Sequence, residues 1–183
     1  MKNILIAAAV LILFFGCSPA PDEQERDTAG RRFRTSQPSL LYFKNMRSTQ
    51  YTMEEQAKSR IELYRHRKFE PTTQRPVLYP VIANNWLNDE AYLFLMPNEF
   101  EGQLAEPLTI TQDTSSTEAL RLESPKPGQQ LELALQLFEG LKAGKNWFVR
   151  QQNGHYLPLY TDGDERAAYL TTVQDFLRLT DAE

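Results

Sequence analysis

Short runs of bulky apolar residues separated by polar segments fill the first half of the sequence and indicate β-strands. Residues 39–46 predict a first strand, whereas residues 52–58 carry helix formers without an apolar stripe and predict a helical turn or a loop. Residues 60–69 alternate, which predicts a second strand with Ile61 and Leu63 on one side. The opposite, charged side of that strand comprises Arg60, Glu62, Tyr64, His66 and Lys68.

A hairpin is predicted where the apolar runs 77–83 and 91–96 flank the polar segment 84–90. Such nearly continuous runs are typical of central strands that are covered on both faces. Pro80 opposes a central position for the first run, because proline cannot donate a ladder hydrogen bond. Both a central strand and a strand with a bulge or an edge position therefore remain open for this run.

Two shorter hairpins are predicted further along the chain. Residues 108–111 and 120–123 flank a turn-rich segment. Asn153-Gly154 lies between two further β-like runs and suits a type I′ turn, in which both central residues have positive φ. Pro158 then places the second strand of this hairpin at a sheet edge.

Two helices are predicted in the second half. Residues 129–143 alternate in part, but their length, their helix-forming composition and Gly144 as a C-terminal cap favour a helix. Asp162 begins a second helix at residues 164–179, whose apolar face is predicted to comprise Ala167, Tyr169, Leu170, Val173, Phe176 and Leu177. The predicted fold class is α+β with a mainly antiparallel β-sheet.

The first residues of the chain read as an export signal. Lys2 precedes the apolar run 4–15, which is shorter than the roughly 20 residues that a membrane-spanning helix needs, and Gly16-Cys17 follows. The segment Leu13-Phe14-Phe15-Gly16-Cys17 resembles the lipobox of bacterial lipoproteins. The resemblance implies cleavage before Cys17, acylation of its sulfur and amino group with palmitate-like chains, and a lipid anchor in the cell envelope.

Three segments follow from this interpretation: a removed signal peptide at residues 1–16, a lipidated cysteine with a flexible tether at 17–37, and one globular domain at 38–183. The tether has few apolar residues to bury, so it is expected to remain flexible. Ser18 after Cys17 favours, by resemblance, sorting to the outer membrane. The anchor therefore predicts a membrane as a partner. No nucleic acid is predicted as a partner.

Composition narrows the chemistry of the domain. The chain has 183 residues, a formal net charge of −4, one cysteine and two histidines. With Cys17 acylated, no thiol remains and the two histidines have no metal-binding spacing, so neither a metal site nor another cofactor is predicted. Nucleophile and phosphate-loop motifs are absent from the sequence, and no residue is assigned as catalytic.

Two segments are candidate ligand sites. The 84–90 segment places an indole among amides and carboxylates, as in sugar or peptide recognition, through Asn85, Trp86, Asp89 and Glu90. The basic run 65–68 offers Arg65 and Arg67 to anionic polymers, in the envelope lipopolysaccharide phosphates or acidic glycans. In both cases an ordinary structural role, as a turn or as a solvated strand face, stays open.

The predicted function is a non-enzymatic binding or accessory domain of the cell envelope, whose partner is an envelope protein complex or a glycan. The alternative is an envelope hydrolase or glycan-processing enzyme that uses Asp89, Glu90 or Glu99 as acid or base. A cavity that places one of these carboxylates beside another titratable group would favour the enzyme.

Overall fold

The computed structural model describes residues 33–56, 59–69, 72–112, 119–122 and 126–180. Within these ranges the chain forms two four-stranded antiparallel sheets and three α-helices, so the predicted α+β class with mainly antiparallel sheet is confirmed. The predictions of a signal peptide, of lipidation at Cys17 and of most of the tether fall outside the described residues.

The elements, in chain order, are α1 (Gln37–Tyr42), a π-helical turn (Phe43–Arg47), a 3-10 turn (Ser48–Gln50), β1 (Tyr51–Gln56), β2 (Ile61–His66), β3 (Leu78–Asn85), β4 (Glu90–Pro97), β5 (Leu108–Thr111), β6 (Leu120–Leu122), α2 (Pro127–Lys142), β7 (Trp147–Arg150), β8 (Tyr156–Leu159) and α3 (Gly163–Leu179). The first sheet has the order β1-β2-β3-β4 and the second has the order β6-β5-β7-β8.

The chain from residue 37 to residue 50 is helical, so the strand predicted at residues 39–46 is wrong. Ser36 caps the first turn with its side-chain oxygen, and Pro38 lies in that turn, where a missing N–H is tolerated. Phe43 is buried in this segment while several apolar neighbours are exposed, because a helix turns only every third or fourth residue toward the core. The start signal at Ser36 outweighs the bulky composition that suggested a strand.

The helical turn or loop predicted at residues 52–58 is also wrong, since Tyr51–Gln56 form β1. Tyr51 is buried and the five residues after it are exposed, because β1 lies at the edge of its sheet. A strand with one buried residue has no periodic apolar signal, and only its pairing with β2 defines it.

The second predicted strand is confirmed as β2, but its two sides are reversed. Tyr64 and His66 are buried, whereas Ile61 and Leu63 are half-buried on the opposite side. The two rings fill the core with their apolar bodies while their polar atoms find partners. Tyr64 donates its hydroxyl hydrogen to Glu62 Oε2 at 2.9 Å, and His66 Nδ1 accepts a backbone N–H two residues later at 3.2 Å.

The predicted hairpin around residues 84–90 is confirmed as β3 and β4, although β4 is an edge strand and the expectation of a central position is wrong for it. Pro80 lies in the central strand β3, where it is paired with Leu95 of β4. Leu95 donates its backbone N–H away from β3, to Gln130 Oε1 of α2 at 2.8 Å. The Pro80 nitrogen therefore points toward β2, whose pairing with β3 ends at Val81, and no ladder hydrogen bond is lost.

The segment before α1 covers the start of the β4 edge. Ala91 donates its N–H to the Phe33 carbonyl at 2.9 Å, and Thr35 donates to the Asp89 carbonyl at 2.8 Å. The Phe33 ring meets that of Phe176 in α3 edge-on, with ring centroids 5.6 Å apart. Phe33 and Thr35 are thus packed against the β4 edge and α3.

The second sheet contains both shorter hairpins. β5 and β6 pair as predicted, and β7 pairs with the edge strand β8, which carries Pro158. The prediction of a type I′ turn is wrong, because in the Asn-Gly pair only Gly154 has a positive φ, at 85°. Gln151 donates to the His155 carbonyl at 2.7 Å and accepts from the Gly154 N–H at 3.0 Å, which describes a type I turn with a bulge.

Both long helices are confirmed as α2 and α3. Gly144, with φ of 75°, ends α2, and the Asp162 carboxylate caps α3 by accepting the Asp164 N–H at 2.6 Å. The predicted apolar face of α3 is displaced, since Ala167 is exposed. The buried face comprises Glu165, Ala168, Tyr169, Thr172, Val173, Asp175, Phe176 and Leu179.

The first sheet has two different faces. The inner face packs against α3 and belongs to one continuous core that includes residues of both sheets and of both long helices. By strand alternation, the side chains of Ile61, Leu63, Arg65, Tyr79, Val81, Ala83, Tyr92 and Phe94 lie on the other side, which we call the outer face.

Candidate functional site

The predicted ligand residues of the 84–90 segment surround the turn between β3 and β4, which we call the hairpin tip (residues 86–89). Trp86 is 42% exposed and Leu87 is 55% exposed. The Arg60 guanidinium carbon lies over the Trp86 ring, 5.9 Å from its centroid, in a cation–π arrangement. Asn85 ends β3, and its Oδ1 is buried without a partner among the described residues.

The two carboxylates at this hairpin differ in environment. Glu90 is 7% exposed and accepts a hydrogen bond from the Tyr92 hydroxyl at 2.6 Å. Asp89 is exposed in the turn, with φ of 51°, and its carbonyl accepts the Thr35 N–H. One carboxylate is therefore held inside the fold and the other faces water, an arrangement unlike a paired acid and base.

Arg65 lies at the other end of the outer face. Ile61 pairs with Asn85 and Arg65 pairs with Val81, so Arg65 is four residues, or roughly 13 Å, from the tip end of β2. Its guanidinium carbon lies over the Tyr79 ring at 4.7 Å from the centroid. Arg65 makes no ion pair with a carboxylate of the described residues.

The stacked pair of Arg65 and Tyr79 lines a cavity of about 640 Å³, which we call the outer cleft. The remaining walls are formed by Phe69 and Val77, by the polar loop residues 72–74, and by Asn98 and Glu99. Asn98 holds this loop, since its Oδ1 accepts the Val77 N–H at 2.8 Å and its amide donates to the Arg75 carbonyl at 2.9 Å. The cleft combines an aromatic ring, a cation, amides and hydroxyl groups.

Arg67 does not reach the outer cleft. Its Nε donates to the Tyr51 carbonyl at 3.0 Å, and it lines a different cavity of about 400 Å³ beside α3, together with His66 and Lys68. Lys68 pairs with Asp164 at 2.7 Å. The basic run 65–68 is thus divided between the two sides of the sheet rather than forming one cationic patch.

A buried charge network lies beneath this second cavity. Asp175, which is 3% exposed, accepts hydrogen bonds from Arg47 Nε at 2.8 Å and from the Tyr51 hydroxyl at 2.7 Å. Burial raises the pKa of Tyr51, and the Asp175 carboxylate raises it further. Burial lowers the pKa of His66, whose ring lies 5.3 Å from that of Tyr51, and the Lys68 charge adds to this. These groups were missed because Arg47 and Asp175 are 128 positions apart.

A second polar cluster surrounds Glu62 near α1. Burial opposes the ionisation of this carboxyl, but hydrogen bonds from Asn84, Lys44 and Tyr64 outweigh it and lower its pKa. Asn84 is fully buried, and its Oδ1 has no partner among the described residues. The cluster closes the inner face at the tip end of the sheet and has the character of a structural network.

The carboxylates proposed for an enzyme are not gathered together. Asp89 and Glu90 lie at the start of β4, whereas Glu99 follows its end and lines the outer cleft. A cavity of about 930 Å³ is lined by the connection from Pro97 to Leu108, by Leu122 and by Gln152. We consider the outer cleft as the candidate ligand site because it contains the exposed Arg65 and the predicted carboxylate Glu99.

Among the residues that the structure describes, no group of three His, Cys, Asp or Glu residues is arranged to hold a metal ion. None of the described helices combines the length and apolar composition needed to cross a membrane. Comparison of the chain with known protein families, with curated proteins and with solved structures finds no match.

Proposed function

We propose that this protein is a bacterial cell-envelope lipoprotein, anchored to the outer membrane through acyl chains on Cys17, whose domain binds an anionic envelope glycan in the outer cleft. Support for the anchor comes from the apolar run 4–15 followed by Gly16-Cys17, with Cys17 as the one cysteine of the chain. Several acyl chains hold a protein at a membrane durably, whereas one chain alone holds it only marginally.

The observation that carries the binding role is the position of Arg65. Its side chain is exposed, and its guanidinium carbon lies over the Tyr79 ring, a contact that holds the cation at the cleft. A guanidinium binds carboxylate or phosphate through two parallel hydrogen bonds. The half-buried Tyr79 ring adds apolar surface of the kind against which sugar rings pack.

Binding is tested by titrating the purified protein with lipopolysaccharide and with the same material after removal of its phosphates. We expect Arg65→Gln to weaken binding about tenfold or more, since a charge-assisted bidentate contact contributes at least about 1.4 kcal/mol. Arg67→Gln is the matched control, because it removes the same charge two residues away without touching the cleft. Equal losses in both variants would indicate a general effect of charge and would contradict the proposed site.

The anchor is tested separately by Cys17→Ser. We expect the substitution to abolish incorporation of labelled palmitate and to prevent maturation of the chain. Unchanged labelling and unchanged cleavage in the variant would refute the lipid anchor. Affinity purification of the acylated protein from membranes would identify any envelope protein with which the domain associates.

A hydrolase or glycan-processing enzyme is the second candidate, and Glu99 in the outer cleft is the observation that favours it. In such an enzyme Glu99 would donate or accept the proton at the scissile bond. Glu99→Gln would then abolish turnover of an envelope glycan while leaving its binding in place. A glycan that binds and is recovered intact after prolonged incubation supports the binding role instead.

A further inference from the structure

The hairpin tip exposes two large apolar side chains at one end of the domain. Trp86 and Leu87 are adjacent in the turn, and both are exposed although they are bulky. Backbone hydrogen bonds hold the turn, since Asn88 donates its N–H to the Asn85 carbonyl at 3.2 Å and the Asp89 carbonyl accepts the Thr35 N–H at 2.8 Å. The turn presents an indole and a leucine outward, and tryptophan is enriched at membrane interfaces.

The described chain begins beside this tip. Phe33 and Thr35 are hydrogen-bonded to Ala91 and Asp89, the residues that follow and end the turn. The segment that separates Cys17 from Phe33 comprises residues 18–32, whose fully extended length is at most about 50 Å. Because Phe33 lies beside the tip, an anchor at Cys17 would keep the tip within about that distance of the lipid.

We propose that the hairpin tip is a second membrane-binding site, in which Trp86 and Leu87 enter the interface of the bilayer that holds the acylated Cys17. The inference rests on the proposed lipid anchor. One lipid attachment raises the local concentration of the domain at the surface, so that a small apolar contact suffices for docking. The contact would orient the domain and keep the distal outer cleft away from the lipid.

The charges around the tip indicate which lipid property matters. The exposed charged groups described at this end of the sheet are balanced: the cations are Arg34, Lys44 and Arg60, and the carboxylates are Glu54, Glu55 and Asp89. Attraction to anionic headgroups therefore does not drive the contact. Apolar insertion does, and we expect the contact to persist in zwitterionic lipid and at high salt.

Fluorescence quenching by brominated lipid tests the site directly. The acylated full-length product is reconstituted into phosphatidylcholine vesicles whose acyl chains carry bromine, and tryptophan emission is compared with that in unbrominated vesicles. Trp147, the second tryptophan of the chain, is 2% exposed in the core and serves as an internal reference. We expect bromination to quench most of the Trp86 emission, which is the difference in emission between the unmodified protein and the Trp86→Phe variant. The emission of that variant, which comes from Trp147, should stay unchanged.

Two further variants connect the quenching to the tip. Leu87→Ser keeps the reporter and is expected to lower its quenching. Met96→Ser replaces another exposed apolar residue, 39% exposed at the far end of β4, and is expected to leave the quenching as it was. Equal quenching of the Trp86→Phe variant and the unmodified protein, or an equal effect of the two serine substitutions, would overturn the inference.

The same preparation separates this inference from the proposed anchor. Mass spectrometry of the Cys17 peptide reports acylation independently of fluorescence. An acylated chain whose Trp86 is not quenched overturns the tip contact alone, whereas a chain without acyl groups overturns the anchor and the tip contact together. Protection of Trp86 from acrylamide in native envelope membranes, but not in pure lipid vesicles, would assign the tip to a protein partner and would also overturn the inference.

Discussion

Asp175 offers a quantitative test of the buried charge network. Its carboxylate is 3% exposed and accepts from the Arg47 guanidinium and from the buried Tyr51 hydroxyl. In Asp175→Ala the Tyr51 hydroxyl stays buried and loses its charged acceptor, which costs about 1–3 kcal/mol. The Arg47 side chain is 24% exposed and can turn toward water when its partner is removed. Breaking this ion pair should therefore cost less than the about 3–5 kcal/mol for breaking a fully buried pair. We expect a total decrease in unfolding free energy of about 3 kcal/mol.

Asp175 and Tyr51 are expected to be energetically coupled. Tyr51→Phe alone should lower the unfolding free energy by about 1.5 kcal/mol, because it removes a hydrogen bond to a charged acceptor. In the Asp175→Ala background the same substitution removes a buried hydroxyl that has lost its charged acceptor, so it should cost nothing further and should recover part of that penalty. The double-mutant cycle is therefore expected to give a coupling energy of at least about 1.5 kcal/mol.

Urea unfolding followed by circular dichroism and by the fluorescence of the buried Trp147 measures these changes. Asp164→Ala is the matched control, because Asp164 forms an ion pair of similar length on the same helix, at 2.7 Å to Lys68, with both side chains exposed. Its loss should cost at most about 1 kcal/mol. An Asp175→Ala effect no larger than that of Asp164→Ala, or strict additivity with Tyr51→Phe, would refute the assignment of the network as a stabilising unit.

Three further predictions concern stability. Burial raises the pKa of four tyrosines above their ordinary value of 10.0: Tyr51, Tyr64, Tyr160 and Tyr169. The stability that these tyrosines contribute is therefore complete below pH 10.0 and is lost as pH rises toward their folded-state pKa values. Tyrosinate absorbance should then rise together with the loss of circular dichroism. Their titration in the still-folded protein would contradict this. Gly140→Ala should destabilise by about 1–3 kcal/mol despite the better helix propensity of alanine, because the new Cβ would lie 2.5 Å from the Trp147 ring; a higher melting temperature would disprove the close packing. Gln130→Leu should cost about 1–2 kcal/mol by leaving the Leu95 N–H without its acceptor and should speed amide exchange along β4, with the exposed Gln129→Leu as a control.

Local sequence signals identified the elements that have capping residues at their ends or a clear apolar pattern. The helix at Pro127–Lys142 has its glycine cap and the helix at Gly163–Leu179 has its aspartate cap, and both lie within two residues of the predicted bounds. The β3–β4 hairpin was predictable because two apolar runs flank one polar turn. Each of these features depends on residues close together in the chain, where backbone chemistry acts directly.

The failures have a common physical cause. β1 exists because it pairs with β2, and the helical segment at residues 37–50 owes its place to Phe43 and Arg47, which meet partners from distant parts of the chain. Which face of β2 is buried was decided by the helix that covers it, and the covering helix brings Asp175 to Tyr51. Tertiary burial outweighs local pattern when a side chain has both apolar and polar parts, as Tyr and His do.

The residues of the candidate sites also fall into two groups, those that the sequence predicts and those that only the structure brings together. The sequence by itself determined the anchor hypothesis at Cys17 and the exposed, polar-flanked Trp86, because each depends only on adjacent residues. Only the tertiary structure decided that Arg65 lies on Tyr79 in the outer cleft while Arg67 lies on the other side of the sheet, and that Phe33 and Thr35 lie beside the hairpin tip. The reason is that strand pairing brings together residues whose separation along the chain carries no signal of contact.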